Sequence, residues 1–378
     1  MTARIYLDNN ATTPPLPAVV SAVAQAMEVY GNPSSRHAAG RAAARLLSDS
    51  RAAVAAWLGA RPSEVVFTGS GTEADRLGLL GALSVAAPKR RVVSSAIEHS
   101  AIHRLLRARG DLDVVFVRPR EDGRVDPSEF TAALTDDTAV ACLMAANSET
   151  GVLQPVAEAA RACRERGIVL LVDAVQAAGK VPFDFAALGT DLAAVSAHKI
   201  HGPKGVGALL VRDGCAWKPP FPANQEARRR AGTEPQPAIA GFAAAARAAA
   251  ALTGEDHRRI ADLRDRLERA LTGALDGVRV NGTAPRVPGT SNLHFEDMES
   301  DRLLAVLDRA GVDASAGTAC SAPAAQPSPV LLAMGRSAKD ALSAVRFSLS
   351  RLTTDEEIDR AIAATIESVE TIRATSRR

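Results

Sequence analysis

The strongest constraint on the fold is an alternation between about residues 60 and 212, where short β-branched runs are separated by segments of helical periodicity. That order builds a mostly parallel sheet covered by helices, because a parallel strand pair needs a long crossover and a helix supplies it. Seven candidate strands are Glu64–Thr68, Arg91–Ser94, Asp113–Val117, Ala139–Met144, Ile168–Asp173, Leu192–Ser196 and Gly207–Val211. One crossover shows the logic. Pro155 is placed in a first helical turn, Val156, Ala159, Ala160 and Cys163 form the apolar stripe, and Gly167 ends the helix before the next strand.

The alternation stops at a proline-rich stretch, Pro219 to Pro237, which reads as a long ordered loop around the basic cluster Arg228–Arg230. Helices expected at about Ile239–Leu252 and His257–Leu271 lead into a second, smaller domain. It closes with a helix whose capping box is Thr354 with Glu357 and whose stripe is Ile358, Ile362, Ile366, Val369 and Ile372. A length of 378 residues suits one large or two medium domains.

Composition excludes several functions. Aromatics make up 3% of the chain, too few for a base-stacking platform, and 45 basic against 43 acidic residues leave no field to select a polyanion or a membrane surface. No direct nucleic-acid or membrane partner is expected. The four cysteines, Cys142, Cys163, Cys215 and Cys320, fit neither a zinc spacing nor a disulfide framework. With no apolar signal core at the N-terminus, a soluble cytoplasmic protein with reduced thiols is expected.

Three features carry chemistry. Lys199 follows a strand in a turn rich in glycine, Gly202, Gly205 and Gly207; taken alone it reads as a solvated turn lysine, as most lysines do, and only its neighbours raise the covalent reading. Asp173 ends an apolar strand with Gln176 three positions on, where ligands sit in open α/β sheets, although an aspartate there can also be a helix N-cap. Gly69, Ser70, Gly71 and Thr72 turn a strand into a helix and offer free backbone amides to a phosphate. Together these are the parts that hold pyridoxal 5′-phosphate: an amine for the imine, a carboxylate for the pyridine nitrogen and a phosphate turn. His99 lies just after another strand at the same sheet edge. A metal pair of His198 and His201 lacks a third ligand, so no metal is expected. Cys320 lies in a run of small residues and prolines, GTACSAPAAQPSP, and reads as a reactive thiol in an exposed loop.

At these residues the chain resembles the cysteine desulfurases, pyridoxal-phosphate enzymes of the class V aminotransferase group. The resemblance is carried nearly end to end by YLDNNATTP at 6–14, GNPSSRHAAGR at 31–41, TGSGTEAD at 68–75, VDAVQ at 172–176, SAHKIHGPKGVGAL at 196–209, RRAGT at 229–233, AGTACSA at 316–322 and RFSLSRLTTDEEID at 346–359. It implies a fold-type I α/β architecture: a large cofactor-binding domain over 16–250 and a smaller α+β domain from 1–15 and 251–378 that carries the Cys320 loop.

The resemblance also implies roles. Lys199 matches the Schiff-base lysine, Asp173 the pyridinium partner, Gln176 the residue bonded to the ring hydroxyl and His99 the stacked imidazole. Gly71, Thr72, Ser196 and His198 match the phosphate site, with Thr233 contributed by the other subunit of a homodimer. Arg346 and Asn32 match groups that hold the substrate carboxylate. Cys320 matches the cysteine that takes sulfur from L-cysteine as a persulfide, leaving L-alanine, for an iron–sulfur scaffold or a thiolation protein. A selenocysteine lyase, another class V enzyme and a non-catalytic sulfur-transfer scaffold are the alternatives. Ser148, where the family usually has asparagine near the cofactor hydroxyl, and Pro222 and Ala223, where it often has glycines, are the departures closest to the site.

Overall fold

The computed structural model describes residues 4–316 and 326–376. Its main sheet has seven strands in the order Val65–Thr68, Gly207–Val211, Leu192–Ser196, Val169–Asp173, Thr138–Cys142, Arg91–Ser95 and Asp113–Val117. Gly207–Val211 runs antiparallel to both neighbours and the other pairings are parallel. All seven expected strands are present, with ends shifted by no more than two residues. The central strands are buried along their whole length, which is why they read as continuous apolar runs rather than as alternating ones.

The helix after the proline-rich loop is Gln236–Ala250, three residues earlier than its apolar stripe suggests, because Pro237 has no N–H to lose in a first turn. Pro155 caps Val156–Glu165 from outside the helix, and Gly167 at φ +62° takes the chain out of it. Between them the loop carries a feature that periodicity does not show. Glu226, Ala227 and Arg228 all have positive φ, at 48°, 54° and 67°, a conformation costly for residues with a Cβ. Glu226 holds it in place. Its buried carboxylate takes two hydrogen bonds from Arg51, each 2.7 Å, and one of 2.8 Å from the Phe67 backbone.

A second apolar core includes Leu7, Leu267, Leu293, Phe295, Phe347 and Ile358. It is enclosed by the antiparallel strands Val278–Val280, Thr290–Phe295 and Ala344–Ser348 and by the helices Gly254–Ala274, Ser300–Arg309 and Asp355–Ser376. The capping box of the last helix is formed, with Glu357 N donating to Thr354 Oγ1 at 3.2 Å and Thr354 N to Glu357 Oε2 at 2.9 Å. The N-terminal strand Ile5–Tyr6 joins Val312–Asp313 in this part of the molecule. The chain then crosses to the main sheet, where Thr13 bonds the backbone of His198 and His201.

Candidate active site

The sheet topology brings the ends of several strands to one edge. Thr68 and Ser196 are both paired with Gly207, and Asp173 with Ala194 two residues before Ser196. Gly207 has to be glycine. A Cβ there would lie 2.7 Å from Val195 O and 2.8 Å from Ser70 C, so a side chain would push the phosphate turn off the sheet. Ser70 caps the helix Gly71–Leu83 by accepting from Glu73 N at 3.1 Å. The amides of Gly71 and Thr72 precede the first intrahelical bond and face outward at the positive end of the helix dipole.

The donors at this edge suit a phosphate. Ser196 Oγ is buried and has no hydrogen-bond partner among the described residues, which costs free energy until an oxygen acceptor arrives. His198 stands beside it, its Nδ1 3.1 Å from Thr12 Oγ1. Burial and the nearby Lys199, Lys204 and Lys180 push this imidazole down to about 4, so it meets an anion as a neutral ring. A phosphate dianion would reverse that shift.

Lys199 ends a short 3₁₀ turn, Ala197–Lys199, directly after the strand Leu192–Ser196. Its Nζ donates to Asn10 O at 2.5 Å and to Ala11 O at 2.8 Å. Asp173 is buried and accepts from Val175 N at 2.9 Å. Single ligand-type atoms of Asp173, His99 and Asp75 lie within 4.8 Å of one another. His99 caps the helix Ser100–Arg107 through Nδ1, which accepts from Ala101 N at 3.2 Å. Lysine, aspartate, imidazole and phosphate cradle are therefore at one sheet edge, and the residues fit pyridoxal phosphate.

Two buried carboxyls behind Asp173 lie outside the sequence-level reading. Asp75 Oδ1 and Glu98 Oε2 have no hydrogen-bond partner among the described residues. Burial first, then the charges of Asp173 and Glu98, hold Asp75 well above the usual carboxylate range. Burial also raises Asp173, but His99, the Val175 amide and Lys199 oppose it, so of this pair Asp75 is the one that keeps a proton. Burial pushes Glu98 up to about 8 against the hydrogen bonds from Ser95 and Met144.

Glu98 makes stability pH-dependent. Its folded value is raised above the ordinary 4.5, so the folded state binds the extra proton and stability declines as pH rises through that window to about 8. Glu98→Gln, a neutral isostere, is expected to flatten this decline. Thermal unfolding of the two proteins should agree within about 2 °C near pH 5, with the variant higher by several degrees at pH 9. Parallel melting curves across that range would remove Glu98 from the account.

Arg346 is 3% exposed at its side chain and pairs with Asp8 at 2.7 Å, and its Nη1 donates to Ser148 O at 3.1 Å. Ser148 thus contributes its carbonyl, which also accepts from Asn10 Nδ2 at 3.0 Å. Asn32 is exposed and accepts from Ser34 N at 2.9 Å. Thr233 is exposed as well. Gln176 is buried and donates to Asn10 O at 3.0 Å. Cys320 lies outside the described residues. The described chain on either side of it is tied to this wall of the site. Ser315 exchanges backbone hydrogen bonds of 3.1 and 2.6 Å with Arg346, and Ser328 Oγ bonds buried Glu149 beside Ser148. The other three cysteines are poor nucleophiles: burial raises Cys142 well above a thiol's ordinary value and pushes Cys163 and Cys215 up to about 12.

Comparison with known proteins places the chain in a family. The family model "Aminotransferase class-V" matches residues 5–361. A cysteine desulfurase of Nostoc sp. is 40% identical over 98% of this chain and 94% of its own length. One from Bradyrhizobium diazoefficiens is 42% identical, covering 99% and 97%. The solved structure of a NifS-like protein superposes with a TM-score of 0.89 at 32% identity, over 97% of this chain and all of the other. With the family model spanning nearly the whole chain and the lysine, aspartate and phosphate turn at one sheet edge, the protein belongs to the class-V aminotransferase family.

Proposed function

We propose that the protein is a cysteine desulfurase that binds pyridoxal 5′-phosphate on Lys199, converts L-cysteine to L-alanine and takes the sulfur on Cys320. Acceptance of that sulfur by an iron–sulfur scaffold or a thiolation protein completes the reading. The observation that carries it is the anchoring of both flanks of the Cys320 segment, at Ser315 to Arg346, which bonds Ser148 O, and at Ser328 to Glu149, the residue after Ser148.

The bound cofactor supplies an electron sink for the carbon skeleton. Lys199 holds it, and its amine, once released, moves the proton at the substrate Cα. Asp173 keeps the ring nitrogen protonated, and the uncharged Asp75 behind it leaves that negative charge unshared. Gly71, Thr72, Ser196, His198 and the partner subunit's copy of the Thr233 position hold the phosphate. Arg346 fixes the substrate carboxylate, with Asp8 and the Ser148 carbonyl orienting the guanidinium, and Asn32 completes that contact. The Cys320 thiolate forms an S–S bond to the substrate sulfur as the C–S bond breaks. The electron pair stays with the carbon fragment, which takes up a proton and leaves as alanine. L-cysteine and one thiol become L-alanine and one persulfide, and no external oxidant is required.

Two further expectations belong to this reading. The separate core around Leu293 and Phe347 supports a division into a large body, 16–250, and a small one, 1–15 with 251–378. Met27, Tyr30 and Phe221 are 70%, 88% and 68% exposed, apolar side chains that a second copy would cover. Among the described residues no helix is long and apolar enough to cross a membrane, and cytoplasmic residence fits the thiol chemistry. The test is direct. Purified protein given L-cysteine and a reductant should release alanine and sulfide in equal amounts, and light scattering on the same sample should give twice the chain mass. Cofactor bound with no alanine formed would move the substrate to another amino acid.

A further inference from the structure

Lys180 is the one lysine besides Lys199 that reaches the N-terminal segment at this site among the described hydrogen bonds. Its Nζ lies 2.5 Å from Gln176 Oε1 and 2.7 Å from Asn10 Oδ1. Gln176 Nε2 donates to Asn10 O at 3.0 Å, and Lys199 donates to that same oxygen. Asn10 is in turn held by Ser148 O at 3.0 Å, Thr290 Oγ1 at 2.9 Å and Ser348 Oγ at 2.9 Å. Lysine amine, glutamine amide and asparagine therefore form one network that ends on the Schiff-base lysine.

The chemistry of the network removes a freedom that a glutamine otherwise has. An amide can usually exchange its oxygen and nitrogen ends at little cost. Here a flip would put Nε2 against the Lys180 hydrogens and Oε1 against the Asn10 carbonyl, replacing two good hydrogen bonds with two repulsive contacts. Oε1 must face Lys180, one Nε2 hydrogen is used on Asn10, and the other remains available. An amine buried without a carboxylate partner is itself costly; burial, Lys199 and Arg346 all push Lys180 well below its ordinary value. A methionine would fill the same space more cheaply.

Resting on the cofactor reading above, we propose that Lys180 is a positioning residue: by donating to Gln176 and Asn10 it fixes the Gln176 amide so that its free N–H serves the ring hydroxyl of pyridoxal phosphate, and it fixes the Asn10 carbonyl against Lys199. Groups that share this surrounding are Lys199 and Arg346, the latter paired to Asp8. His198 and His201 feel Lys180, and Asp173 feels Lys199. His257 and Arg351 line the same cleft.

The experiment titrates the absorbance of the bound cofactor against pH in wild-type holoenzyme, Lys180→Met, Gln176→Leu and the double variant. A donor to the ring oxygen stabilises its negative charge most when the Lys199 linkage has lost its proton, so losing the donor should raise the midpoint. Each single variant is expected to shift it upward by roughly half a unit or more. The double variant should shift no further than the larger single one, since both act through one amide. An unchanged midpoint in Lys180→Met, or full additivity in the double variant, would overturn the proposal. If Lys180→Met does not accumulate folded, Lys180→Gln, which keeps one donor group, should give a smaller rise, and no rise counts against the idea. A wild-type protein without a cofactor band would instead sink the desulfurase reading, and this inference with it.

Discussion

Lys199→Ala is expected to lower alanine formation by at least about 10³-fold, because it removes both the covalent attachment and the base that moves the Cα proton. The fold should survive. The side chain gives up two hydrogen bonds, to Asn10 O and Ala11 O, worth about 1 kcal/mol each, and Asn10 O keeps the one from Gln176. The phosphate cradle and Asp173 remain, so the variant should still bind the cofactor, but releasably. Borohydride treatment followed by intact-mass measurement separates the cases. The wild-type chain should gain one pyridoxyl phosphate and the variant none. A variant that keeps turnover, or still traps the group covalently, would move the attachment to another lysine, and Lys180, bonded to the same asparagine, would be the first to examine.

Cys320→Ser should have an equally large effect on sulfur transfer and almost none on the cofactor. The spectrum should remain that of the wild type, while alanine release falls by about 10²-fold or more, since a serine hydroxyl is not ionised at neutral pH and cannot accept sulfur. No other described thiol can substitute. With Cys163 and Cys215 pushed up to about 12, their thiolate fraction near pH 7.5 is on the order of one in 10⁴ to 10⁵. Peptide mapping after L-cysteine and before reductant should show a gain of about 32 Da on the Cys320 peptide. A gain on the Cys215 peptide instead would overturn the assignment.

Much of this architecture is legible in the sequence because it follows from local rules. Buried strands announce themselves as β-branched runs, and the Thr354–Glu357 box is visible as a spacing. Gly207 could be marked as part of a glycine-rich turn, although only the structure shows that Val195 and Ser70 forbid a side chain there. The residues missed share a different property. Asn10, Asp75, Glu98 and Lys180 act through contacts to groups distant in sequence, such as the 170 positions from Asn10 to Lys180. No periodicity records a contact of that range. Asn10 and Asp75 lie inside motifs quoted for the resemblance, yet neither carries an assigned role until its neighbours are known. The strained turn at 226–228 was equally hidden, since nothing in QEARR marks a left-handed backbone without the Arg51 clamp.

The N-terminal segment has a further consequence, in the order in which the chain is made. Ile5 pairs with Val312, Asn9 donates to Ser348 O, and Asn10 supplies the carbonyl that holds Lys199. The first of these residues to leave the ribosome must wait for the last. Asn9 and Ser348 are 339 positions apart, which at bacterial or eukaryotic elongation speeds is roughly 20–70 s of synthesis. The sheet can close on its own strands during that interval and collect Asn10 through Gln176, Lys180 and Lys199, while Asp8 and Asn9 wait for Arg346 and Ser348. Completion of the Arg346–Asp8 pair is therefore a late event in this protein's biogenesis, and a nascent chain stalled before residue 346 would hold a finished sheet with that wall of the site unbuilt.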